Sequence, residues 1–306
     1  MRDQIEAAIN EVSQVLYGKQ EAIKLALTCI FSEGHLLIED LPGMGKTTLA
    51  HGLAKVLGLD YQRLQFTSDM LPADILGVSI FDPSSNGFQF HPGPVFTQLL
   101  LADEVNRTTP KTQSALLEAM EEGRVSLDGQ THRLPTPFFV IATQNPVTQQ
   151  GTFPLPESQL DRFLMRIELG YPDSRAEREL LKGGDPRRRL KTMATVITPP
   201  QLQAITAACA GVKVSDSIID YLQRLVAYSR QAPEFSFGIS PRGALALLRA
   251  CRSWAYIQGR DYVIPEDLQQ LLGPVTGHRL RAAEDLGGLG ANGLVQQLLS
   301  RVDVVA

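Results

Sequence analysis

Residues 36–48 read LLIEDLPGMGKTT, and this stretch decides the class of fold. Residues 36–38 form an apolar run that predicts a buried strand, and a helical pattern over residues 47–57 follows the glycine-rich turn. Glycines let a chain fold around a phosphate, and a helix N-terminus directs backbone N–H groups at it. The sequence therefore predicts a phosphate-binding loop made of Pro42, Gly43, Met44, Gly45, Lys46, Thr47 and Thr48.

Two side chains of this loop have a predicted chemical role. Lys46 is expected to reach the β- and γ-phosphates of a nucleotide, and Thr47 is expected to bind Mg²⁺ through its hydroxyl. The loop departs from the pattern GxxxxGK[ST] at one position, where Asp40 stands in place of the first glycine.

A pair of carboxylates follows a second apolar run, residues 99–102. Because α/β sheets bind ligands at the carboxyl ends of their strands, Asp103 and Glu104 are placed at the ligand-binding edge. We expect Asp103 to hold Mg²⁺, mainly through water, and Glu104 to act as the general base that polarises an attacking water.

The length of 306 residues allows about two domains of ~150 residues each. In the first part, short apolar runs without polar alternation predict strands of a parallel sheet, separated by helical patterns. These predicted strands are residues 36–38, 61–66, 99–102, 138–142 and 163–169. Turn signals predict two hairpins, within residues 78–90 and 124–134.

After residue 171 the pattern predicts helices alone. They are expected near residues 174–182, 200–210, 216–230, 241–258, 265–272 and 293–303. We therefore predict an α/β domain over residues 1–171 and an all-helical lid domain over residues 172–306.

The overall charge argues against affinity for nucleic acid through a broadly basic surface. Lys and Arg total 29 against 33 Asp and Glu, a net charge of −4. Three widely spaced cysteines and the lack of a signal peptide favour a reducing compartment. We expect a cytoplasmic protein without direct membrane insertion, since no apolar run approaches the ~18 residues that span a bilayer.

Taken together, the motifs resemble those of the MoxR family of AAA+ ATPases, and the resemblance covers nearly the whole chain. Its segments are residues 39–47 (EDLPGMGKT), 65–77 (QFTSDMLPADILG), 92–96 (PGPVF), 102–107 (ADEVNR), 142–146 (ATQNP), 151–157 (GTFPLPE) and 160–163 (LDRF). The resemblance implies an AAA+ core that binds ATP on a five-stranded parallel sheet of order 5-1-4-3-2. It also implies two hairpin insertions and a helical lid after the core.

The resemblance also implies roles for single residues. Asn145 resembles sensor 1, which orients the attacking water, and Arg162 resembles the arginine finger that acts on a neighbouring subunit's γ-phosphate. Arg242 resembles sensor 2, and we expect it to close over the phosphate held by its own chain. Tyr17 and Gly18 resemble the segment that passes the adenine base. Arg107 is a weaker candidate for a second arginine that acts between subunits.

The partners implied are further copies of the chain, in a ring that is expected to be a hexamer, because an arginine finger acts across a subunit interface. The resemblance further implies a protein partner with a von Willebrand factor A domain, and a client protein that is matured or remodelled. A helicase-like motor that acts on nucleic acid is the alternative, although the negative net charge weighs against it.

Overall fold

A computed structural model of the protein describes residues 1–84, 86–145, 152–182, 186–283 and 290–305. Two residues of the motifs quoted above, Pro146 and Gly151, lie outside these ranges. None of the helices within the ranges combines the length and the apolar character that crossing a membrane requires.

The centre of the molecule is a sheet of five parallel strands. They are β1 (His35–Glu39), β2 (Tyr61–Gln65), β3 (Leu99–Asp103), β4 (Phe139–Gln144) and β5 (Phe163–Ile167). Their order across the sheet is β2-β3-β4-β1-β5. With the hairpin strands left out of the numbering, this is the order 5-1-4-3-2 that the resemblance implies. Every residue of β3 and β4 is buried, which explains why neither run shows polar alternation.

Two antiparallel hairpins project from this core, as the turn signals predict. The first pairs Gly77–Asp82 with Gly87–Pro92, and the second pairs Arg124–Leu127 with Gln130–Arg133. In the second, Asp128 and Gly129 both have positive φ angles, 50° and 77°, as a tight two-residue hairpin turn requires.

Helices precede, separate and follow the strands. Those of the first part are α1 (Arg2–Ser13), α2 (Gln20–Phe31), α3 (Lys46–Val56), α4 (Pro72–Leu76), α5 (Pro110–Glu122) and α6 (Glu157–Leu160), with a single 3-10 turn at Val105–Arg107. Those of the second part are α7 (Ser174–Leu181), α8 (Pro186–Thr192), α9 (Pro199–Ala210), α10 (Asp216–Gln231), α11 (Pro241–Ile257), α12 (Pro265–Thr276) and α13 (Ala291–Arg301).

The second part differs from the expected set of elements in two respects. Phe235–Phe237 pairs antiparallel with Arg281–Ala282, which forms a small ribbon. Strands of three and two residues are too short to give an alternating pattern in the sequence. Helix α8 was also not expected, because its sequence, PRRRLKT, is short and polar and carries no apolar period.

The lid packs against the helices that come before the sheet. Helix α11 lies on α2, and the buried side chains of Leu27 and Leu247 belong to one continuous apolar cluster. A hydrogen bond of 2.8 Å between the hydroxyls of Ser32 and Ser253 joins the same two regions. Trp254, 5% exposed, lies in this shared core. The packing of α11 on α2 sets where the lid stands relative to the sheet.

Candidate functional site

The turn between β1 and α3 has the geometry of an anion-binding loop. Gly43 and Gly45 have φ angles of 87° and 94°, a conformation that side-chain-bearing residues rarely adopt. A Cβ atom on Gly45 would also lie 2.6 Å from the side chain of Leu16, whereas one on Gly43 would meet nothing within 4 Å. The loop therefore needs both glycines, and it has open space beside it. Lys46 begins the helix, so the partial positive charge of the N-terminus lies at the loop.

Asp40, the residue that departs from the glycine pattern, anchors the start of this loop. One carboxylate oxygen accepts the N–H of Leu41 at 2.8 Å. The other accepts the N–H groups of Leu169 and Gly170, at 2.7 and 2.6 Å. Because those two residues lie just beyond the end of β5, Asp40 ties the phosphate loop to the chain that leads into the lid.

The side chain of Lys46 is buried at the loop, with the residue only 8% exposed. Its ammonium donates to the carbonyl oxygen of Asp40 at 2.7 Å and to the side-chain oxygen of Asn145 at 3.4 Å. Burial lowers the pKa of Lys46, while the charges of Asp103, Asp40 and Glu104 act in the opposite direction. The ammonium is thus held in place by neutral oxygens, within a group of carboxylates.

Asn145 links this lysine to the expected general base. Its amide nitrogen donates to one carboxylate oxygen of Glu104 at 3.2 Å, and its backbone oxygen accepts from the side chain of Asn106 at 3.1 Å. The amide therefore lies between the phosphate loop and Glu104. A side chain at this point can hydrogen-bond a water that lies between the nucleotide and Glu104, the expected general base.

Glu104 itself is held in an unusual backbone conformation. Its φ and ψ angles are 58° and 49°, the left-handed region that non-glycine residues seldom occupy. Its backbone N–H donates to the hydroxyl of Thr143 at 2.9 Å, and its second carboxylate oxygen pairs with Arg107 at 2.9 Å. Strained residues of this kind cluster at functional sites. Arg107 contacts the carboxylate of its own chain.

Asp103 is buried, and the chain holds both of its carboxylate oxygens. The hydroxyl of Thr143 donates to one oxygen at 2.6 Å. Arg63 donates to the other through Nε at 3.2 Å and through Nη2 at 2.6 Å. The sequence does not single out Arg63, because its contact with Asp103 depends on β2 lying beside β3, with Gln65 opposite Asp103.

The oxygen atoms at this edge suit a magnesium ion. Asp103 provides a carboxylate, and Thr47 in the first turn of α3 provides a hydroxyl with no hydrogen-bond partner among the described residues. Mg²⁺ prefers such hard oxygen ligands and keeps several of its waters. The donor set therefore fits the ion.

Arg162 and Arg242 lie at the opposite end of the strands, beside the start of β1, where both contact Glu121. Arg162 pairs with one carboxylate oxygen of Glu121 at 2.9 Å, and Arg242 pairs with the other at 3.3 Å. Glu121 is close to the start of β1, since the ring of His35 bonds to the carbonyl oxygen of Met120 at 3.2 Å. The two arginines also line a cavity of about 800 Å³ together with Arg279 and Asp161.

This placement corrects the expectation that Arg242 closes over the phosphate held by its own chain. The phosphate loop follows the end of β1 and Glu121 lies at its beginning, so a strand of about 13 Å separates them. The lid lies at this end of the strands because α11 packs on α2, whose last residues lead into the start of β1. No local sequence pattern reports such packing between distant helices.

The expected adenine segment lies against the connection between sheet and lid. Gly18 has a φ angle of 68°, and a Cβ atom on it would approach the side chain of Ala176 to 2.8 Å. The ammonium of Lys19 donates to the carbonyl oxygen of Tyr171 at 2.6 Å. Gly18 therefore contacts the same connection to which Asp40 is bound, and Tyr17 precedes it as a half-buried residue.

Comparison with known protein families places two segments of the chain. Residues 35–165 match the model of the ATPase family associated with various cellular activities (AAA), and residues 227–293 match the AAA lid domain.

Similar proteins extend over almost the entire chain. The chain is 43% identical to YeaC of Bacillus subtilis over 97% of its own length and 93% of that protein. It is 38% identical to Chaperone MoxR1 of Mycobacterium tuberculosis, over 90% of its length and 75% of that protein. It is 31% identical to Protein MoxR of Methylorubrum extorquens, over 91% of its length and 88% of that protein. A crystal structure of a protein from Cytophaga hutchinsonii superposes with a TM-score of 0.89, at 35% identity over 99% of this chain and 95% of the other.

Proposed function

The chain belongs to the MoxR family of AAA+ ATPases, and from this we propose that it hydrolyses ATP with Mg²⁺ in a ring to remodel or mature client proteins. In this proposal residues 1–171 form the nucleotide-binding core and residues 172–306 form the lid. The observation that carries the proposal is a linked set of side chains, Lys46, Asn145 and Glu104, at the carboxyl ends of the strands. Arg162 and Arg242 lie at the opposite ends of the strands.

At the carboxyl ends of the strands, each residue has a distinct role in hydrolysis. The backbone of the loop and Lys46 bind the phosphates, and Glu104 accepts a proton from the attacking water. Asn145 orients that water, since its amide already contacts both Lys46 and Glu104. Tyr17 and Gly18 border the adenine through backbone contacts.

Thr47 and Asp103 would hold Mg²⁺, with Asp103 acting mainly through water. The ion supplies charge that neutralises the phosphate oxygens as the bond to the leaving group breaks.

Arg162 and Arg242 act on the nucleotide of a neighbouring subunit. Both lie a strand's length from the loop of their own chain, and a planar guanidinium suits the charge that develops in phosphoryl transfer. One copy then supplies the loop and the next copy supplies the arginines. A repeated head-to-tail contact of this kind forms a ring where its rotation closes, and we expect a hexamer.

The client of this ring is proposed to be a protein. Two relatives bear the names Chaperone MoxR1 and Protein MoxR, which supports a chaperone-like task. We expect a partner protein with a von Willebrand factor A domain to recruit the client. The first hairpin offers a contact surface of its own, because Ile80, Phe81 and Phe88 are all exposed on it.

Two variants test the ATPase assignment. Lys46→Ala should abolish nucleotide binding, and Glu104→Gln should bind ATP but not hydrolyse it. Complexes of ATP-bound Glu104→Gln recovered from the native host should then contain a client protein. Recovery of nucleic acid alone would contradict the proposal.

A further inference from the structure

The ion pair between Arg63 and Asp103 differs from the surface ion pairs of the molecule. Asp103 is only 7% exposed, and Arg63 reaches it from the edge strand β2 with a side chain that is 48% exposed. Both Nε and Nη2 of Arg63 donate to the same carboxylate oxygen. Nη2 also donates to the side-chain oxygen of Gln65 at 3.0 Å, so the guanidinium is braced by its own strand.

We propose that Arg63 is a positioning residue that fixes the direction of the Asp103 carboxylate for Mg²⁺ binding. This inference rests on the proposed function, in which Asp103 receives the waters of the ion. The hydroxyl of Thr143 fixes one oxygen of Asp103, and Arg63 fixes the other. With both oxygens held, the carboxylate plane cannot turn, and the lone pair left on the oxygen that Thr143 holds keeps one direction.

Such a brace matters more for metal binding than for folding. Because the arginine of this pair is half exposed, water screens it, and the pair adds less to stability than a fully buried one would. Residues that hydrogen-bond a metal-ligating side chain, in contrast, typically change metal affinity by ~10–100-fold when they are removed.

The position of Arg63 follows from the register of the two strands. Gln65 lies opposite Asp103, and Arg63 lies two residues earlier on the same face of β2. Its side chain therefore runs along the strand towards the end where Asp103 lies, and it bonds to the side chain of Gln65 as well as to Asp103. Nε and Nη2 of the guanidinium form a fork that contacts one oxygen of Asp103 at two points, which the single ammonium group of a lysine does not offer.

The test compares metal affinity in Arg63→Gln, Arg63→Lys and a matched control, with ADP bound. Lys182→Gln is the control, because it removes one positive charge from an exposed ion pair on α7. Electron paramagnetic resonance measures free Mn²⁺, which stands in for Mg²⁺ in the titration. ADP affinity in EDTA is measured for each variant, to separate metal binding from nucleotide binding.

We expect Arg63→Gln to weaken Mn²⁺ binding by ~10–100-fold and to leave ADP affinity in EDTA unchanged. Arg63→Lys keeps the charge but loses the fork, so it should fall between Arg63→Gln and the wild type. In hydrolysis, the Mg²⁺ concentration for half-maximal rate should rise in the same order. Lys182→Gln should match the wild type in every measurement.

The opposite result is equally clear. Tighter Mn²⁺ binding by Arg63→Gln would mean that the arginine competes with the ion, and unchanged binding would mean that it serves only the fold. If Arg63→Gln does not fold, wild-type affinity in Arg63→Lys overturns the proposal by itself. Failure of the proposed function looks different, since the wild-type protein would then show no metal-dependent nucleotide binding.

Discussion

Arg162 and Arg242 are held by the two oxygens of one carboxylate, that of Glu121, although one precedes the last strand of the sheet and the other begins a lid helix. The shared partner keeps both guanidinium groups on one face of the subunit. Glu121 therefore couples the two arginines, although Arg242 also lies 3.8 Å from a carboxylate oxygen of Asp161.

Substitution of either arginine by alanine should slow hydrolysis by ~10³-fold or more and leave ATP binding intact. The physical reason is the loss of positive charge that the transition state requires and the bound substrate does not. Steady-state ATPase assays and titration with a fluorescent ATP analogue measure the two effects. Arg301→Ala, which changes an exposed arginine of α13, should behave as the wild type.

Mixing experiments should tell within-chain from between-chain action. Arg162→Ala or Arg242→Ala, mixed with Lys46→Ala, should recover activity, because the first supplies an intact loop and the second supplies intact arginines. If Arg242 acts on the nucleotide of its own chain, only the mixture with Arg162→Ala recovers.

Glu104→Gln should lower kcat by ~10²–10⁴-fold and leave nucleotide affinity close to that of the wild type. Glutamine keeps the contact with Asn145 but cannot accept a proton. Single-turnover hydrolysis and ATP titration check these outcomes. A variant that loses ATP binding as well would indicate that Glu104 holds the loop rather than the water.

Asp40→Ala should destabilise the fold by about 2 kcal/mol, because three backbone N–H groups lose a charged acceptor. It should also weaken nucleotide binding, since the start of the phosphate loop is released from residues 169–170. Urea unfolding and nucleotide titration measure the two effects. Asp220→Ala, at an exposed position of α10, is the control and should change neither.

His35 should make the protein less stable in mild acid. Its Nδ1 accepts the N–H of Val140 at 3.0 Å and its other ring nitrogen faces the oxygen of Met120, so only the neutral ring fits. Burial lowers the pKa of His35 from 6.5 to about 4. Between these values the unfolded chain binds a proton that the folded chain does not, so stability is lost as the pH falls from 6.5 towards 4.

The slope from this histidine is at most about 1.4 kcal/mol per pH unit. His35→Gln keeps a donor and an acceptor but does not titrate, so its unfolding free energy should fall less steeply over this range. His91→Gln, at an exposed position, should keep the wild-type slope. If the unfolding free energy of His35→Gln falls with pH as steeply as that of the wild type, His35 is not the group whose protonation destabilises the fold.

Local patterns predict the loop and the strands well. The glycines at positions 43 and 45 are required by their φ angles, and the apolar runs of β3 and β4 follow from burial on both faces. Both features depend on a few neighbouring residues, so the sequence displays them directly.

Local sequence patterns do not predict contacts between segments that are far apart along the chain. The place of Arg242 depends on how α11 packs against α2, and the partner of Asp103 depends on which strand lies beside β3. Asp40 shows an intermediate case. The sequence marks it as a departure from a pattern, but its bonds to residues 169–170 need the folded sheet.

In the proposed mechanism each chain carries halves of two different sites, because the loop and the arginine pair lie at opposite ends of the strands. An open row of n such chains contains n−1 complete sites, with an unmatched loop at one end and unmatched arginines at the other. Closure of the row completes the last site, so activity per chain should rise with protein concentration and level off once every end is joined.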